Sequence, residues 1–172
     1  LISKYLNFNN QNLSIDISLH IGSFFAVVFF FKKDIQNFFK NKILFLKIFI
    51  SSIPVMIIGL ILIKSGQIEK IRNLEVIGWT TLFFGLFLYL SDKLKLEKEI
   101  KKDYSFKIAI YIGIFQVFSL IPGVSRSGIA ITAARAFKFK RVDAAKISFL
   151  ISIPILGALS IYGISDIILS DN

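Results

Sequence analysis

The chain has 172 residues, 55% hydrophobic and 15% aromatic with nineteen Phe, which is too apolar for a soluble domain of this length. Charged residues are only 19% of the chain, the net charge is +10, and there is no Cys and a single His. These numbers exclude intrinsic disorder, a disulfide scaffold, a thiol nucleophile, Cys-ligated zinc or iron–sulfur sites and a multi-His metal centre. The remaining class is an all-α, polytopic membrane helix bundle. Leu1 opens without Met or a signal-peptide layout, as expected of a processed chain or a fragment.

In chain order, apolar stretches long enough for membrane helices run from Ile15 to Phe31, Ile43 to Ile63, Leu74 to Leu90 and Ile147 to Leu169. Ser52-Ile53-Pro54 and Ser152-Ile153-Pro154 echo each other in the second and fourth, either as a trace of repeated halves or as two Pro kinks in helices of biased composition. Between the third and fourth stretches, 106–137 behaves differently. Its apolar run is broken by Ile121-Pro122-Gly123-Val124-Ser125-Arg126-Ser127-Gly128. The part after the break, Gly128 to Phe137, covers only about 15 Å as a helix, roughly half the hydrocarbon thickness. The spacing predicts a re-entrant helical hairpin with a polar tip, within a single membrane domain covering residues 1–172.

Fifteen Lys and Arg lie in Lys32 to Lys42, Lys93 to Lys107 and Arg135 to Lys146, against four in Leu1 to Ser14, Lys64 to Glu75 and the residues after Leu169. The positive-inside rule makes the first set cytoplasmic and the second external, so the hairpin enters from the cytoplasm and points its tip outward. Orientation and anionic lipid account for the basic surplus, and no nucleic-acid partner is expected. Lys93 to Lys107 mixes both charges and reads as a solvated loop. Trp79, Tyr89, Tyr104 and Tyr111 read as interfacial or packing aromatics.

Arg126 is the one basic residue this pattern places deep in the membrane, at a cost of about 2.5 to 3.5 kcal/mol on the lenient insertion scale. An anion would offset that cost. Ser125 and Ser127 flank it with hydroxyls, and Gly123 and Gly128 allow close backbone approach. A helix beginning after Ser125 or Ser127 would aim its N-terminus into the same space, so the group converges on a phosphate-sized anion. The competing role is an Arg paired internally to hold the hairpin. Gln116, on the preceding half-helix, either bonds toward the tip or joins helices. His20 and Asp16 share a helix face, where they relay protons or orient a water, or where Asp16 simply sits in the interface.

Pro122-Gly123-Val124-Ser125-Arg126-Ser127-Gly128 resembles the second signature of the bacterial undecaprenyl-diphosphate phosphatases, the bacitracin-resistance family. Leu19-His20-Ile21-Gly22-Ser23, Ala26-Val27, Ile53-Pro54, Gln116, Ser148-Phe149-Leu150 and Ile153-Pro154 follow the family's order. The resemblance implies a bacterial inner-membrane hydrolase that removes the terminal phosphate of undecaprenyl diphosphate and recycles the lipid carrier for peptidoglycan synthesis. It implies that Arg126 grips the diphosphate, that Ser125 and Ser127 line the same pocket, and that Gly123, Gly128, Gln116 and His20 lie around the substrate. It also implies a helical bundle with two re-entrant hairpins, and a site facing the outer side. The family's first signature, a Glu-rich stretch ending in Ser-Ser-Thr-Gly-His, is expected just ahead of Leu1. With it would come the nucleophile or general base and the ligands of a divalent metal, Mg or Ca; none is assigned within the chain. The last helices are expected beyond Asn172. On this reading the chain is an internal fragment, inactive alone. Homo-oligomerisation is a further possible association. The main alternative is a transporter or flippase of a lipid-linked phosphate, since broken helices aimed at an anion are also a transporter device.

Overall fold

The computed structural model describes residues 13–33, 35–36, 41–65, 73–94 and 97–170, and side chains within these except at 13–17, 64 and 166–170. The described residues are helical throughout, with one isolated bridge between Lys98 and Phe139. In order the helices are α1 (Leu13–Phe30), α2 (Lys42–Ser65), α3 (Leu74–Asp92), the short α4 (Ile100–Asp103), α5 (Phe106–Gln116), a 3₁₀ turn (Val117–Leu120), α6 (Arg126–Ala136) and α7 (Arg141–Ser170).

Among the described residues three helices are long and apolar enough to cross a membrane: Lys42–Ile63, Leu74–Asp92 and Arg141–Ser165. The first expected span is represented among the described residues by the shorter apolar helix Ser18–Phe30. The fourth begins earlier than its apolar run does. The amide of Ala144 bonds to the carbonyl of Lys140 at 2.8 Å, so the helix starts in polar sequence at Arg141, with Asp143 in its first turn facing the positive end of the dipole. Both α2 and α7 run through their prolines, Pro54 and Pro154.

α6 packs against α3, α5 and α7, while α7 also packs against α1 and α2. α5 comes close to α2. A Cβ at Gly113 would stand 2.4 Å from the carbonyl oxygen of Ser51, so only glycine fits. Beside it, the buried Ser51 hydroxyl lies 2.7 Å from the Tyr104 hydroxyl, and burial pushes the Tyr104 phenol well above its ordinary range. Tyr104 is therefore a packing residue, whereas Trp79, Tyr89 and Tyr111 are exposed on helix surfaces. The stretch 93–107 is not simply solvated. Ile100 and Tyr104 are buried, and the amide of Lys98 bonds to the carbonyl of Lys138 at 3.1 Å.

Among the described residues the most buried basic side chain is that of Arg135. Its side chain is 1% exposed and its Nη2 lies 2.6 Å from Asp92 Oδ1, while Nη1 donates to the carbonyl of Phe139 at 3.1 Å. Arg141 joins the same carboxylate, Nε to Oδ1 at 3.1 Å. A cation at the end of α6, facing the end of α3, meets the negative pole of both helices as well as a carboxylate, which offsets its desolvation. The pattern missed it because Asp92 is 43 residues away.

Between α6 and α7 the chain makes a Schellman turn. Lys138 has φ +71°, its amide bonds to the carbonyl of Arg135, and that of Phe139 bonds to the carbonyl of Ala134. A non-glycine residue in this conformation costs about 1 kcal/mol. Lys138→Gly relieves that strain, partly countered by the greater freedom of unfolded glycine. A small rise in Tm in detergent is expected; a fall would mean that the Lys138 side chain makes a contact worth more than the strain.

Candidate functional site

The break between α5 and α6 is an ordered turn. Pro122 and Gly123 occupy its centre, Gly123 has φ +92°, and the amide of Val124 bonds to the carbonyl of Ile121 at 3.1 Å, an arrangement matching a type II turn. The positive φ already favours glycine, and packing demands it independently. A Cβ at Gly123 would lie 2.2 Å from Thr80 Oγ1 and 2.6 Å from the carbonyl oxygen of Ile77. The turn is thus seated on α3. Thr80 Oγ1 is 2.7 Å from the carbonyl oxygens of both Pro122 and Val76, and Thr81 donates to the carbonyl of Gly123 at 3.0 Å. A third carbonyl, that of Ile77, lies at 3.2 Å, and the one proton of Thr80 serves one of the three at a time.

Ser125, rather than Ser127, caps α6. Its Oγ accepts the amide of Gly128 at 3.1 Å, and its carbonyl accepts the amide of Ile129 at 2.9 Å. Arg126 and Ser127 hold the first two helical positions, whose amides no intrahelical carbonyl reaches. The Ser127 hydroxyl lies 3.3 Å from that of Ser125, and both residues are exposed. Ser148 on α7 donates to the carbonyl of Ser127 at 3.2 Å, tying the start of α6 to its neighbour. Gly128 has room for no more than a tight methyl, 3.0 Å from Ser125 Cβ.

Arg126 is less exposed than the two serines that flank it. It lines a cavity of about 120 Å³ with Ser119, Val55 and Gly59 of α2, and Ile155 and Ala158 of α7. Among the described residues its guanidinium has no carboxylate partner and no hydrogen bond. A half-buried cation beside a mostly apolar cavity, at the positive end of a helix, has the chemistry to hold an anionic group carried on an apolar body.

The other expected residues are distributed around this centre. Gln116 is 1% exposed at the end of α5, with its Oε1 unpartnered among the described residues, and it does not line the Arg126 cavity. His20 is half-buried on α1, the helix packed against α7. Asp16 lies on α1 outside the described side chains. Sequence reasoning did not single out Ser119, Thr80 or Thr81, and it named Ser148 only as part of the resemblance; a hydroxyl inside an otherwise apolar run was the available signal. Among the described residues no group of three His, Asp or Glu side chains comes together, and the residues named around the Arg126 cavity include no carboxylate. These residues do not form a site for a divalent metal.

A helical membrane protein whose broken segment presents a cation to an apolar cavity is the class that fold and site define. Residues 1–171 match the family described as Bacitracin resistance protein BacA, and the chain belongs to that family. It is 45% identical over 162 residues to the undecaprenyl-diphosphatase of Pelagibacter ubique (strain HTCC1062), covering 94% of this chain and 63% of that protein. It is 41% identical over 158 residues to the undecaprenyl-diphosphatase of Roseobacter denitrificans, covering 84% and 59%, and 36% identical over 182 residues to that of Jannaschia sp. (strain CCS1), covering 98% and 68%. The chain spans about three fifths to two thirds of the length of these relatives.

Proposed function

We propose that this chain forms the phosphate-gripping part of an undecaprenyl-diphosphate phosphatase of the bacterial inner membrane. The observation that carries the reading is the Arg126 guanidinium, without a carboxylate partner among the described residues, facing a cavity otherwise lined mainly by apolar side chains of α2 and α7. An isoprenoid diphosphate matches both halves of that environment. The named activity of the relatives gives the reaction: water adds to the terminal phosphorus, the bond from that phosphorus to the bridging oxygen breaks, and inorganic phosphate leaves the lipid monophosphate behind.

In this reaction Arg126 holds non-reacting phosphate oxygens with paired N–H bonds and offsets the charge that builds on the bridging oxygen. The first amides of α6 add donors pointing the same way. Thr80, Thr81 and Ser148 keep the turn and the start of α6 in place. The group that activates water, and the ligands of a divalent metal, are proposed to lie in the part of the family's length that these residues do not span. The test is release of inorganic phosphate from undecaprenyl diphosphate by the purified full-length protein. Movement of the intact lipid without phosphate release would replace this reading with a transporter.

The site is proposed to open toward the outer face, because the basic residues cluster at the opposite ends of α3 and α7 and along 93–107. Cys introduced at Lys98 or Lys140 should be shielded from an impermeant thiol reagent in intact cells, and Cys at Asn73 should be labelled. Labelling of position 140 from outside would reverse the orientation.

A further inference from the structure

We propose that Ser119 and Tyr162 are two further anion-binding residues, whose hydroxyls donate to the diphosphate held at Arg126. This rests on the phosphatase reading and deepens it by naming more of the donor set. Among the described residues that line the Arg126 cavity, the polar side chains are those of Arg126, Ser119 and Tyr162. They come from three separate elements: Arg126 opens α6, Ser119 lies in the 3₁₀ turn on the other arm of the hairpin, and Tyr162 lies on α7. Ile155, Ala158, Leu159 and Tyr162 follow the spacing of a single helix face, which is why α7 brings all four to one cavity. The 3₁₀ turn is seated on α2 beside them, since a Cβ at Gly59 would stand 3.5 Å from Leu120 Cδ2.

Both hydroxyls are uncommitted, and that sets them apart. A hydroxyl in apolar helical sequence ordinarily bonds to a nearby backbone carbonyl. The buried Ser51, Ser52, Ser91, Ser148 and Ser160 all do so, at 2.7 to 3.2 Å. The buried Tyr104 likewise has Ser51 as its partner at 2.7 Å. Ser119 is half-buried in equally apolar sequence, yet neither its hydroxyl nor that of Tyr162 makes a hydrogen bond among the described residues. The anion needs such donors. The fork of Arg126 pairs two oxygens, whereas a terminal phosphate carries three non-bridging ones, and a charged oxygen left against an apolar wall is costly. Each hydroxyl has one proton to give. The cavity of about 120 Å³ corresponds to roughly four waters at about 30 Å³ each, the scale of one phosphate group. A phosphate in that space would meet the guanidinium and both hydroxyls from different walls.

The test measures phosphate release by the full-length protein in detergent from undecaprenyl diphosphate and from farnesyl diphosphate, the same head group on a much shorter tail. Ser119→Ala and Tyr162→Phe each remove a hydroxyl and little else. Each should lower kcat/KM about tenfold or more, the scale of one hydrogen bond to a charged group. The factor should be the same for both substrates, because they share the anion. Tm should not change, since neither hydroxyl holds another part of the protein. A loss confined to the longer lipid would place the two residues on the path of its tail and overturn the proposal. A loss of activity matched by a fall in Tm would make them structural and overturn it too. Parent-like kinetics in either variant overturns the role of that residue. All three results leave the phosphatase reading intact, provided the parent protein releases phosphate. A parent that releases phosphate from neither lipid overturns that reading and the two hydroxyl contacts together.

Discussion

Arg126→Ala should lower phosphate release by the full-length protein about a thousandfold, and Arg126→Lys about a hundredfold, the range measured when a transition-state donor is removed. Lysine keeps the charge but loses the planar fork that pairs two phosphate oxygens at once. The effect should fall on kcat rather than on folding, for a structural reason. Among the described residues no carboxylate pairs with Arg126, so its removal strands no buried counter-charge. Arg135 is the opposite case. It is 1% exposed and shares Asp92 with Arg141, so Arg135→Ala strips a buried network and should lower Tm as well as activity. On the proposed function, the two variants would separate a substrate-gripping role from a structural one within a single helix. Near-normal turnover in a well-folded Arg126→Ala protein would make Arg126 a packing residue.

Much of this arrangement was legible in the sequence because its signals are local. Pro122-Gly123 specifies a turn whose third position needs positive φ, and Ser125, three residues ahead of Gly128, specifies a cap; both lie within a few residues of what they bind. The long apolar runs likewise identify their own helices. What could not be read is contact between segments far apart in the chain. Thr80 and Thr81 look like ordinary hydroxyls in an apolar helix until Pro122 and Gly123 are placed on them, 42 residues later. Arg135 belonged to a run of basic residues that the charge pattern assigned to the cytoplasmic side, and only the ends of α3 and α6 meeting reveal it as buried. The sequence treated Arg126 and its flanking serines as one convergent cluster. Successive helical positions diverge by about 100°, and in the structure Arg126 lines the cavity while the serine at the cap holds the amide of Gly128.

Gly123→Ala should reduce turnover on the order of a hundredfold while leaving every group that touches phosphate in the sequence. The added methyl would meet Thr80 Oγ1 at 2.2 Å, the Ile77 carbonyl oxygen at 2.6 Å and Ile77 Cα at 2.8 Å, so the turn must lift from α3. Arg126 follows three residues later, at the first position of α6, and a displacement of about 1 Å at a reacting centre costs about that factor. Trimming the partner should help little. Thr80→Ala removes only one of the three contacts, leaves the backbone of Ile77 in place, and does not change the positive φ that alanine must adopt. Gly128→Ala provides the contrast. That residue is helical, its added methyl meets only the Ser125 side chain at 3.0 Å, and alanine gains up to about 1 kcal/mol of helix propensity, so the loss should be several-fold at most. The kinetic ranking, Gly123→Ala far below Gly128→Ala with the Thr80→Ala double variant close to the former, separates backbone seating from a general intolerance of bulk in the motif. Equal activities for the two alanine variants would mean that contact with α3 does not position Arg126.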